Sequence, residues 1–174
     1  MSKLEEVIKD ITTYLNRYES QHIKHNSSHE GFGLIDYEIN ILKKYYKSYI
    51  KNANEKYTLQ DVELNLQLLI QEVIYFVNDI CPTYQPNPKE FIISLIIAEM
   101  NKATENFTKY NSYTEFFYVL LEERDELWDI VKTNCIKYSG GEIIRKENMR
   151  SEAIQIGAVA LRYLVENCGG KSNE

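Results

Sequence analysis

Proline is confined to one place in this chain. Pro82, Pro86 and Pro88 all fall within residues 81–88, CPTYQPNP, and no other stretch contains one. Proline lacks an amide hydrogen and clashes with the preceding turn, so this segment cannot be helix interior. The remainder carries helical periodicity instead. Leu4, Val7, Ile8, Ile11 and Leu15 form the i, i+3, i+4, i+7, i+11 stripe of an amphipathic helix. Alternating strand patterns closed by NG or DG turns are missing, so the expected fold is all-α, a helical bundle with little or no β-structure.

The two stretches flanking the prolines resemble each other. KHNSSHEGFGLIDYE (Lys24 to Glu38) aligns without a gap on KYNSYTEFFYVLLEE (Lys109 to Glu123), and LQLLIQEVIYFVNDIC (66–81) aligns more loosely on IQIGAVALRYLVENC (154–168). Both blocks occur in the same order and both halves end in Cys. This predicts a tandem duplication: a helical unit over 1–81, a Pro-rich linker over 82–88, and a second helical unit over 89–174. Each unit reads as a helix, a short NS-containing loop, a second helix, a variable loop and a long third helix. KNANEKYT (51–58) and YSGGEIIRKEN (138–148) are the variable loops, and the last helix is expected to begin near Asn148 or Ser151. GGKSNE reads as a glycine C-cap and a frayed terminus.

Charge and composition narrow the functional classes. A net charge of −6 and a pI near 5.2 argue against nucleic acid as the main partner, because neutralising phosphates needs a basic surface. The longest apolar run, Phe91 to Ala98, is too short to span a bilayer, so no membrane association is expected. MSKLEEVIKD lacks the basic-then-apolar start of a secretory leader. Cys81, Cys135 and Cys168 are odd in number and show no CxxC spacing. Disulfides and zinc are disfavoured, and a cytoplasmic location is expected.

The chemistry concentrates in residues 120–132, LLEERDELWDIVK. At 100° per residue, Glu123 points to the same side as Phe116, Val119, Leu120, Leu127 and Ile130, with Glu126 at the edge of that face one turn on. Glu122, Asp125 and Asp129 fall on the opposite side. A carboxylate within a core-facing stripe is costly unless its charge is compensated, and a metal ion is the obvious compensator. RSEAIQIGAVALRYLVEN (150–167) repeats the motif with Glu152 and Gln155 at i, i+3, on a helix apolar nearly all round and therefore central. Two antiparallel helices that each offer such a pair can make an open site of hard oxygen ligands, suited to Mg²⁺ or Mn²⁺ rather than zinc. Such a site can hold the phosphates of a nucleotide and generate a nucleophilic water. The bland alternative is a buried glutamate pair satisfied by Arg or Tyr.

Glu123-x-x-Glu126, a loop, then Glu152-x-x-Gln155 resembles the all-α NTP pyrophosphohydrolase superfamily, MazG-like branch, whose pattern is ExxE followed by ExxD. ERDELWDIVK and MRSEAIQIGAVALRYL are similar to its small members over about residues 90–168, and SSHEGFG (27–33) is similar to the loop before the ExxE helix. The resemblance implies a helical bundle working as a dimer, Mg²⁺ held by Glu123, Glu126, Glu152 and Gln155, and hydrolysis of an NTP or dNTP to the monophosphate and pyrophosphate. Glu123 or neighbouring Glu122 would take the proton of the attacking water. His29 and Glu30 of the HEG segment would border the nucleotide. Gln155 departs from the usual Asp and supplies no charge. In the first half Glu38 matches Glu123, but Ile41 replaces Glu126 and only Leu64 or Gln67 fall near the Glu152 position. The resulting expectation is a pseudo-dimer within one chain, with a competent second half packed on a degenerate first half.

Secondary candidates carry less. Lys132 and Arg150 can neutralise phosphate oxygens, although cations at helix ends commonly complement the dipole. Trp128, Phe116 and Phe117 read first as core packing. His22, His25 and His29 have spacing that could bind a transition metal, but without acidic or thiol partners around them they read first as a solvated loop. Two rivals to the enzyme stand: a nucleotide-sequestering protein without turnover, and a structural helical adaptor.

Overall fold

The computed structural model describes residues 1–50, 58–81, 85–133 and 141–168, with the side chains of 49 and 50 left aside. Among these residues there are six α-helices and no strand: α1 Lys3–Tyr18, α2 Ser28–Ile50, α3 Leu59–Ile80, α4 Pro88–Asn106, α5 Tyr113–Lys132 and α6 Gly141–Asn167. The all-α expectation holds. None of these helices is long and apolar enough to cross a membrane. Of the proline segment, 82–84 lie outside the described residues; Pro88 occupies the first turn of α4, where its missing N–H costs nothing. Cys135, residues 51–57 of the first variable loop and residues 138–140 of the second also lie outside them.

Helix starts follow from short polar side chains. Ser2 and Glu5 form a reciprocal capping box on α1, as Thr58 and Asp61 do on α3. The two NS sequences make a shared variant. The Ser27 hydroxyl accepts from the Glu30 amide at 3.2 Å while Glu30 Oε2 accepts from the Asn26 amide at 2.7 Å. Ser112, Glu115 and Asn111 repeat this at 3.2 and 2.8 Å. SSHEGFG, expected as a loop, is therefore mostly the start of α2, because Ser27 and Glu30 satisfy the orphan amides that helix entry exposes.

α6 begins at Gly141, whose φ of +75° suits glycine, and not near Asn148 or Ser151. The added turns are held by Arg145, which the sequence alone places in a loop. Its buried guanidinium donates to the Ile130 and Val131 carbonyls at 3.2 and 2.8 Å and to Ser28 Oγ at 3.3 Å. A cation thereby meets the negative end of α5 and ties α6 to the start of α2.

α3 and α6 pack on each other at the centre. α2 lies against α3 as α5 lies against α6, α1 contacts α3 as α4 contacts α6, and α2 meets α5. The remaining pairs, α3 with α4 and α6 with α1, are counterparts too. The set of contacts is unchanged when the first three helices are exchanged for the last three. Two glycines permit close approach: a Cβ at Gly157 would lie 3.0 Å from Ile96 Cδ1, and one at Gly31 would lie 2.7 Å from Phe76 Cδ2. Across the α2–α5 contact, Arg124 Nε donates to Asp36 Oδ1 at 2.8 Å. Phe116, Leu120, Leu127, Ile156 and Leu161 are fully buried, each contributing roughly 1.5–3 kcal/mol.

Candidate metal centre

The apolar faces of α5 and α6 bring their glutamates together. Phe116, Leu120 and Leu127 turn inward, which draws Glu123 half into the interior, while Glu152 is drawn in beside Ala153 and Ile156. Glu126 is exposed, further from the core than the helical phase implies. One carboxylate oxygen from each of Glu123, Glu126 and Glu152 lies within 4.8 Å of the others. Gln155 Nε2 donates to Glu152 Oε2 at 2.8 Å, so the amide orients that carboxylate, with its own carbonyl oxygen left as an acceptor.

The electrostatics are those of unneutralised charge. Glu123 Oε2 is buried without a hydrogen-bond partner. Burial first, and then the charges of Glu126 and Glu152, push the Glu123 carboxyl up to about 7. Glu152 is likewise pushed up to about 7, by burial and then by Glu126. Without a cation, protons must take up part of this negative charge.

Glu123 and Glu126 of the cluster, with Glu122 and Gln155, line a cleft of about 470 Å³ between α4, α5 and α6, whereas Glu152 stands beside them without lining it. Glu122 is exposed, as expected, but it lines the same cleft as Glu123 and does not face away from it. The lining residues not singled out from the sequence include Glu99, Phe107, Tyr110 and Arg162. Glu99 follows Ile96 by three positions on α4 and pairs with Lys102 at 3.1 Å. Arg162 is buried, donates to Glu166 Oε1 at 2.8 Å, and holds the Phe107 and Thr108 carbonyls at 2.9 and 2.7 Å. That latch shapes the α4–α5 connection into a cleft wall. Arg162 is the one charged residue within the apolar run 153–165, and that was the available signal.

Other expected residues stand elsewhere. Lys132 pairs with Asp129 at the C-terminal end of α5, and the charge of Arg150 reaches Cys81 at the end of α3; neither lines the cleft. His29 sits edge-on to Trp128 at 5.8 Å and Glu30 caps α2, so the HEG segment does not border this cleft. Trp128 packs on Phe32 at 4.8 Å, and Phe116 and Phe117 are core residues, as the packing reading expected.

The first half differs from expectation in two ways. Glu38 is half-buried with an unpartnered Oε2, as its match to Glu123 suggests, but it is accompanied: Glu72 of α3 lies close enough to feel its charge. The histidines are not a solvated loop either. His25 is buried, and His22 stacks on Tyr75 with ring centroids 3.7 Å apart and bonds Asp79 at 2.8 Å. The missed partners are all on α3, more than thirty residues along the chain. No family model, curated protein or solved structure matches the chain.

Proposed function

We propose that the chain is a Mg²⁺-dependent nucleoside triphosphate pyrophosphohydrolase, releasing pyrophosphate and the nucleoside monophosphate. The observation that carries this reading is the convergence of Glu123, Glu126 and Glu152 within 4.8 Å, with Glu123 and Glu126 lining a 470 Å³ cleft. Hard oxygens at helical i, i+3 spacing suit Mg²⁺, or Mn²⁺, with coordination positions left for water and phosphate. The buried, unpartnered Glu123 Oε2 is a donor-set feature that a cation satisfies.

Bound there, Mg²⁺ supplies charge neutralisation for the phosphates and lowers the pKa of a coordinated water. The protein's own contributions are distinct. α5 and α6 preset the ligand spacing, Gln155 orients Glu152, and Arg162 holds the wall formed by Phe107–Tyr110. Glu122, which lines the cleft with Glu123, would accept a proton from water attacking the α-phosphate. On this reading the symmetric helix contacts describe a pseudo-dimer, the second unit (89–174) carrying the centre and the first (1–81) packed against it as scaffold. A cytoplasmic location fits a nucleotide-pool substrate.

The test is Mg²⁺-dependent pyrophosphate release from a panel of NTPs and dNTPs. Turnover that vanishes with chelator and with Glu126→Gln supports the proposal. The neutral Gln155 favours one second reading, a protein that sequesters nucleotide: saturable Mg²⁺-nucleotide binding with no product would establish it. Absence of both turnover and binding would leave a helical adaptor.

A further inference from the structure

A second cleft, of about 350 Å³, opens where the start of α2, the end of α3 and the first turns of α6 meet. Its charge is opposite in sign to that of the acidic cleft. Lys24, Arg145 and Lys146 line it, three cations in a chain whose net charge is −6. The carboxylates on its wall are already committed. Asp79 accepts from the His25 backbone amide at 3.0 Å, from His22 Nε2 at 2.8 Å and from Asn78 at 3.0 Å. Glu142 is shared between Arg145 at 3.4 Å and Lys146 at 3.8 Å. Lys24 has no ion pair among the described residues.

The donors around this cleft suit an oxyanion. α2 runs for 23 residues from Ser28, so the positive end of a long helix dipole faces it. Ser27 takes the Glu30 amide on its hydroxyl oxygen and the Gly31 amide on its carbonyl, which leaves the Ser28 and His29 amides without an intrahelical acceptor. The Ser27 and Ser28 hydroxyl oxygens accept from the Glu30 amide and from Arg145, so each O–H proton is available to a ligand. Arg145 is fixed by the Ile130 and Val131 carbonyls, while its Nη1 makes only the long contact to Glu142. Helix starts and guanidinium groups are the usual holders of phosphate oxygens. An observation independent of the helix end comes from His25, which also lines the cleft. Its side chain is 1% exposed, yet neither ring nitrogen has a hydrogen-bond partner. The Nδ1 edge is turned toward Asp79, 3.6 Å away on the same wall. Buried polar atoms without partners need an explanation, and a polar occupant of this cleft is one.

We propose that Lys24, Ser27, Ser28, Arg145 and Lys146 form a binding site for a phosphoryl anion, either free inorganic phosphate or the phosphate end of a phosphomonoester. A doubly charged oxyanion matches three cations that share one uncommitted carboxylate. The site draws on both halves of the chain: Lys24, Ser27 and Ser28 precede the proline segment, and Arg145 and Lys146 follow it. Arg145 already ties α6 to α2 through Ser28, and the anion strengthens that junction. The site needs no metal and stands whether or not the acidic cleft is an enzyme.

The experiment uses the full chain in chelator, so that the acidic cleft has no cation with which to hold phosphate. Inorganic phosphate and glycerol phosphate are titrated by calorimetry at constant ionic strength; the tighter of the two identifies the free ion or the phosphomonoester as the ligand. At about 100 times its Kd that ligand should raise Tm by about 5 °C or more, and chloride should not. Lys24→Ala combined with Lys146→Ala removes two solvent-facing cations without touching the core, and should weaken binding by about tenfold or more. In the unmodified chain the Ser28 and His29 amide signals should shift during the titration, which a general salt effect would not single out. No saturable binding of either ligand, an equal Tm response to chloride, affinity unchanged in the double variant, or Ser28 and His29 amides unmoved by phosphate would each overturn the proposal.

Discussion

Glu123→Gln isolates the cost of concentrating carboxylates between α5 and α6. The carboxyl of Glu123 stands at about 7 against an ordinary 4.5, chiefly through burial. That difference corresponds to roughly 3 kcal/mol against the ionised form. Water enters the cleft and the group is only half-buried, so screening reduces it to about 1–2 kcal/mol. The sign follows from proton counting. Between pH 4.5 and 7 the folded state binds more protons than the unfolded chain, so stability falls as pH rises through this window. The amide carries no charge at any pH. Without metal, Glu123→Gln should therefore stabilise by about 1–2 kcal/mol at pH 8, or about 2–6 °C in Tm, and change little at pH 5. Paired thermal and urea melts at the two pH values, with chelator, measure this. Adding Mg²⁺ should raise the Tm of the parent at pH 8 and do much less for the variant. A Tm change of equal size at both pH values, or a loss at pH 8, would refute the assignment of Glu123 as a desolvated charge.

Gln155→Asp adds a charge beside Glu152 and should tighten Mg²⁺ binding, read by calorimetry, while lowering metal-free stability at pH 8 by about 1 kcal/mol. Arg162→Ala breaks a buried pair with Glu166 and releases the Phe107 and Thr108 carbonyls; a loss of about 3 kcal/mol by urea unfolding is expected. Gly31→Ala places a methyl 2.7 Å from Phe76 Cδ2 and should destabilise by about 1–3 kcal/mol, more than Gly157→Ala, whose nearest contact at 3.0 Å is the flexible end of Ile96.

Legibility varied with the range of the interaction. Glu123 could be singled out because helical phase is local: Phe116, Leu120 and Leu127 define a face, and Glu123 lies on it. Glu152 was exposed the same way by the apolar turns around it. Arg145 was misassigned to a loop because its partners, the Ile130 and Val131 carbonyls, become available only where α5 ends beside α6. His29 and Glu30 drew attention through a motif, yet Glu30 is used in capping its own helix.

By itself, the sequence determined the six-helix succession, the restriction of proline to the middle of the chain, and the inward turn of Glu123 and Glu152. Those properties depend on backbone sterics and on a 3.6-residue period, both acting over a few residues. Tertiary structure alone decided that Glu99 and Arg162 join the acidic cleft, and that Glu72 and Asp79 surround His25. These groups are far apart along the chain or on different helices, and their meeting depends on how α3, α4, α5 and α6 pack, which no local pattern encodes.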